Sequence, residues 1–139
     1  MTRTRSRQIL FAGAIIALAA ALLYLIFPLF PLSSLKPEEI EEIRLFAVPP
    51  ERTVVLNAED AAQAAALLRG LRAYQPGYRL HSALCGQYIA FTIVKTDGSE
   101  IEVSNNGNVA LTVGGTGYRA EYNSAEALNA FANRVLYGS

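Results

Sequence analysis

The stretch Gln87 to Tyr122, QYIAFTIVKTDGSEIEVSNNGNVALTVGGTGYRAEY, decides the fold. From Gln87 to Thr96 its two faces, Tyr88/Ala90/Thr92/Val94 and Ile89/Phe91/Ile93, are both largely apolar, as expected of a central strand covered on at least one side. Asp97-Gly98 is the strongest hairpin signal in the chain, and Glu100 to Val103 returns with clean polar and apolar alternation. Asn106-Gly107 marks a second turn before Val109 to Val113, and Gly114, Gly115 and Gly117 mark a third before Tyr118 to Tyr122. Four strands with such short turns predict an antiparallel meander.

On the C-terminal side, Asn123 and Glu126 have the spacing of a capping box, and Leu128, Phe131, Ala132 and Val135 line one helical face. On the N-terminal side, Ile43, Leu45 and Ala47 alternate with Arg44, Phe46 and Val48, which predicts a strand stopped by Pro49-Pro50. Arg52 to Leu56 is β-rich and pairs back across VPPER as a hairpin. Asn57 is a good N-cap, with Asp60 at the third helical position, and the Ala-rich run to Tyr74 puts Ala64, Leu67, Leu68 and Leu71 on one stripe. Gly70 weakens this helix only slightly. Gln75 to Gly86 opens with Pro-Gly, has no clear period, and is read as a loop crossing to the next strand. The fold class is therefore α+β: an N-terminal transmembrane helix, then an antiparallel sheet of about six strands in the order β-β-α-β-β-β-β-α, with two helices packed on one face.

The transmembrane assignment rests on Ile9 to Phe27, ILFAGAIIALAAALLYLIF, in which Gly13 alone falls outside the apolar set. Nineteen residues at the helical rise span roughly 28 Å, close to the hydrocarbon thickness of a bilayer. A cleaved signal peptide shares the basic start and apolar run, but its apolar region is shorter, and here the exit PLFPLSSLKPEE has no small-residue cleavage site. No Cys follows the run for lipoprotein attachment; Cys85 comes much later. Arg3, Arg5 and Arg7 precede the run, and Glu38, Glu39, Glu41 and Glu42 follow it, so the expected N-terminus is cytoplasmic. The expected divisions are a basic stub at 1–8, an anchor at 9–32 contacting the lipid bilayer, a connector at 33–39 and an extracytoplasmic domain at 40–139.

The net charge of zero over 139 residues is thus a cancellation, since the part after the anchor carries nine basic and twelve acidic residues. A general nucleic-acid binder is excluded by this balance. The order of apolar anchor, strand ending in TVVLN, capped helix, hairpins around TDGSEIEVSNNGNV and final helix resembles small uncharacterised membrane-anchored extracytoplasmic α+β domains of Gram-positive bacteria. The resemblance covers most of Glu39 to Leu136 and implies fold and location; those domains have no assigned reaction, so it implies no catalytic residues.

His81 and Cys85, four apart, are too few for a structural zinc site, and a nucleophilic pair needs an orienting group that spacing does not supply. A lone Cys excludes an intrachain disulfide and leaves an intermolecular one open. VGGTGYR lacks the following Lys and helix of a phosphate loop, and Asp97, Glu100 and Glu102 lack calcium-loop spacing. No catalytic, cofactor or metal residue is nominated. Charge is more informative, because Ala61 to Thr96 contains no acid but holds Arg69, Arg72, Arg79 and Lys95. Arg69, Arg72, Tyr74, Tyr78, Arg79 and His81 therefore form a possible partner-binding surface for an envelope protein or an anionic polymer or lipid. The competing account is that Arg69 and Arg72 complement the negative end of the first domain helix and that Arg79 is simply solvated. The expected function is an anchored binding or assembly module. The alternatives are an enzyme with an unrecognised site near His81 and Cys85, and a subunit acting through its transmembrane helix.

Overall fold

The computed structural model describes residues 2–80 and 86–138. Helix α1, Thr2–Ile26, precedes the sheet and meets the rest of the chain near its C-terminal end, at Tyr24. Its stretch Arg5–Ile26 has a mean hydropathy of 2.7 and none of it is buried, so it is long and apolar enough to cross a membrane. The helix ends at Ile26, before Pro28 and Pro31, which cannot donate to a continuing helix. The residues that follow belong to the packing of the domain. Leu29 and Ala73 exchange both backbone hydrogen bonds, at 2.7 and 3.0 Å. Leu32 and Leu35 are only 5% and 6% exposed and join the core. Lys36 then leads into a single 3-10 turn, Pro37–Glu39.

Among the described residues, seven strands form one antiparallel sheet: β1 Ile40–Val48, β2 Arg52–Val55, β3 Ala73–Tyr74, β4 Tyr88–Lys95, β5 Glu100–Asn106, β6 Ala110–Val113 and β7 Thr116–Ala120. Their spatial order is β2-β1-β4-β5-β6-β7-β3. Register puts the apolar parity of the strands on one face: Ile43 opposes Ile93, Leu45 opposes Phe91, Phe91 opposes Val103, and Val103 opposes Val113. A one-residue slip would turn this set outward, so burial itself specifies the pairing. Two of the tight turns have consecutive left-handed residues, Gly107/Asn108 and Gly114/Gly115, the geometry that matches strand twist. Gly117, expected in the turn, lies instead inside β7.

Helices α2, Ala58–Arg69, and α3, Tyr122–Tyr137, cover the apolar face. Asn57 caps α2 as expected, its side-chain oxygen accepting from the Asp60 amide at 2.8 Å. The helix stops at Arg69, short of the expected Tyr74, with Gly70 as its C-cap and the Gly70 N–H donating to the Ala66 carbonyl. A helix-interior glycine costs about 1 kcal/mol, and here strand pairing offers the chain a better use. Leu71 and Ala73 are buried while Arg72 is exposed, an alternation that suits β3 and its pairing with β7. This short strand raises the sheet from the expected six strands to seven. The cap of α3 also differs: Glu121, not Asn123, accepts from the Asn123 and Ser124 amides at 3.2 and 2.9 Å. Glu126 is engaged elsewhere, accepting from the Asn108 side chain. Ala64, Leu68, Leu128 and Phe131 meet the sheet, Phe131 packing on Phe91 with ring centroids 6.1 Å apart.

Candidate functional site

The face of the sheet turned away from α2 and α3 carries the opposite parity, and register arranges it in rows. One row runs Ala90, Ser104, Thr112, Gly117; the next runs Tyr88, Asn106, Ala110, Arg119, Tyr74. Small residues in the middle and large ones at the margins make a groove. It encloses about 820 Å³, floored by Ser104, Ala110, Thr112 and Gly117 and bordered by Tyr78, Arg79, Tyr88 and Glu102. Phe46 supports one border by packing edge-on against Tyr88 at 6.4 Å.

The wall formed by residues 77–80 lies directly on β7. The Gly77 amide donates to the Gly117 carbonyl at 2.8 Å, and a Cβ on Gly117 would fall 2.2 Å from the Tyr78 carbonyl oxygen. Only glycine permits this backbone approach. The same wall touches α1: the Tyr24 hydroxyl donates to the Pro76 carbonyl at 2.7 Å, one residue before the groove begins.

The six residues read from the sequence as a surface fall into two places. Tyr74, Tyr78 and Arg79 lie on the groove side, at the β3 edge. Arg69 is the last residue of α2, and Arg72, between α2 and β3, pairs at 3.4 Å with Glu121, the N-cap of α3. Arg72 also borders a hollow of about 270 Å³ with Leu67, Gly70 and Ser124. His81 and Cys85 lie outside the described residues. Arg119 was not singled out by sequence reasoning, yet it sits over the Tyr74 ring, 5.2 Å from its centroid. Its role depends on the pairing of β3 with β7, which leaves no periodic trace in a two-residue strand. Glu102 lay in the expected strand Glu100 to Val103, and that strand runs on to Asn106, which brings Ser104 and Asn106 onto the same parity.

The groove offers hydroxyl and amide groups, one carboxylate, one guanidinium and two phenol rings, a mixed lining suited to a polar partner with flat or apolar patches. Four titrations shifted by their surroundings have structural causes. A hydrogen bond from Lys95 holds Glu39 below the ordinary carboxylate value, and hydrogen bonds from Ser99 do the same for Asp97. The Glu42 carboxylate raises Arg44. Burial alone would raise Glu121, but the Ser124 hydroxyl, the Ser124 and Asn123 amides and the Arg72 charge together hold it low. Among the described residues, no three His, Cys, Asp or Glu side chains converge as metal ligands. Comparisons with protein-family models, with curated proteins and with solved structures find no match for this chain.

Proposed function

We propose that the chain is a single-pass membrane protein with its basic N-terminal stub in the cytoplasm and its α+β domain outside, acting as a binding or assembly module through the groove. The observation that carries this reading is the continuity of anchor and groove: Pro76 accepts from Tyr24, and the groove wall starts at Gly77. A binding face is thereby tied to a fixed position next to the membrane. The orientation is supported by Arg3, Arg5 and Arg7 before the apolar run of α1 and the acidic run Glu38 to Glu42 after it. The partner is an envelope component, either a protein or an anionic polymer, and membership of the small anchored extracytoplasmic domains is part of the same proposal.

Photocrosslinking in intact membranes tests this reading. A photoreactive residue at Thr112, on the groove floor, is expected to capture a defined envelope component, whereas one at Val55 on the opposite sheet edge is not. Repeated recovery of the protein alone from Thr112 would refute it.

A further inference from the structure

The anchor sets the height of one sheet edge. Tyr24 lies two residues from the end of α1, about 3 Å along its axis, so the Pro76 carbonyl that it holds stands level with the last helical turn. The 22 residues Arg5–Ile26 span about 33 Å, which puts that turn at the boundary between hydrocarbon and headgroups once α1 crosses a bilayer. Tyrosine favours this layer. The backbone bridge between Leu29 and Ala73 ties β3 to the same level. Six inter-strand steps put β2, at the other edge of the sheet, about 29 Å from β3.

Glu121, beside the end of β7, is matched by Arg72, but two other arginines at this edge are not neutralised. Arg79 is exposed three residues after Pro76, and exposed Arg119 is paired in register with Tyr74 on β3. Neither arginine lies within ion-pair distance of an acid among the described residues, whereas Arg44, Arg72 and Arg134 all do. Stacking on Tyr74 holds the Arg119 guanidinium without neutralising it.

We propose that Arg79 and Arg119, flanked by Tyr74 and Tyr78, form a contact site for the phosphate headgroups of anionic phospholipids in the leaflet from which the domain emerges. This rests on the reading that α1 crosses the membrane. The site fixes the tilt of the domain and, with it, the direction in which the groove opens.

The chain contains no tryptophan, so one introduced residue reports its own position. Full-length Tyr78→Trp is reconstituted into vesicles of phosphatidylcholine alone, or of phosphatidylcholine and phosphatidylglycerol in equal parts, each with a headgroup-attached quencher. Thr116→Trp serves as a second reporter, and Val55→Trp as the far-edge control. Stronger quenching at Tyr78→Trp with phosphatidylglycerol is expected, with none at Val55→Trp. Arg79→Ala and Arg119→Ala should each lower the ratio of docked to undocked domain about fivefold, and Arg119→Lys should retain most of it. Quenching that ignores both phosphatidylglycerol and the arginines overturns the headgroup site but leaves the anchor intact. Failure of the chain to float with either vesicle overturns the anchor itself, and the site with it.

Discussion

The Tyr24 hydroxyl, in the last turn of α1, donates a 2.7 Å hydrogen bond to the carbonyl oxygen of Pro76, fifty-two residues away in sequence. This contact joins a membrane-compatible helix to the loop that walls the groove. It is exposed to water, so its net value is at the low end of the usual range, about 0.5 kcal/mol. Tyr24→Phe should leave global stability nearly unchanged but loosen the loop. Hydrogen exchange at the Gly77 and Tyr78 amides, which donate to Gly117 and Gln75, should then accelerate while exchange in β4 stays constant.

The segment after α1 is part of the folded domain. Leu32→Ala or Leu35→Ala, each at a site almost fully buried, should destabilise the domain by about 2–5 kcal/mol. Leu22→Ala, on the exposed surface of α1, should not change it measurably. Denaturant unfolding of the full chain in micelles, followed by tyrosine fluorescence, distinguishes these outcomes. Equal effects at Leu22 and Leu32 would mean that residues 29–35 act as a tether.

Gly117 sits where backbone meets backbone, so the smallest added side chain must move the 75–80 loop. Gly117→Ala should cost about 1–3 kcal/mol as overpacking and reduce capture from Thr112 in the crosslinking assay. Gly77→Ala makes a useful contrast: open space surrounds it, but its positive φ strains any side chain, so the loss should be in stability without a steric push on β7.

Glu121 links α3 to Arg72 and gives stability a defined pH dependence. Its folded pKa lies below the ordinary 4.5, so its contribution is fully present above that value and is lost as pH falls through the lowered folded value. Glu121→Gln should be less stable at neutral pH by about 0.5–2 kcal/mol, through the weakened cap, and should show a shallower stability loss below pH 4.5. Thermal unfolding across acid pH measures both effects.

Much of the architecture was legible because burial dictates it. Alternation in Ile43 to Val48 and in Gln87 to Thr96, with glycine turns between the later runs, leads to the observed sheet, and Asn57 caps α2 through the expected Asp60 amide. The errors fall where local signals compete. Leu71 satisfies both a helical stripe and a strand alternation, and Gly70 tips the choice toward the strand. Asn123 is a good cap by type, but Glu121 reaches two amides and a hydroxyl from two residues further out. The candidate site was half legible. Tyr74, Tyr78 and Arg79 share a sheet edge, while Arg69 ends α2 before the turn at Gly70, and Arg72, between that turn and β3, pairs with Glu121 at the start of α3.

Sidedness tests the account most directly. In right-side-out vesicles, trypsin added from outside should cut the domain at exposed Arg52, while the N-terminal stub with Arg3, Arg5 and Arg7 stays protected until the vesicles are lysed. A protected domain with a cleaved stub would contradict the account.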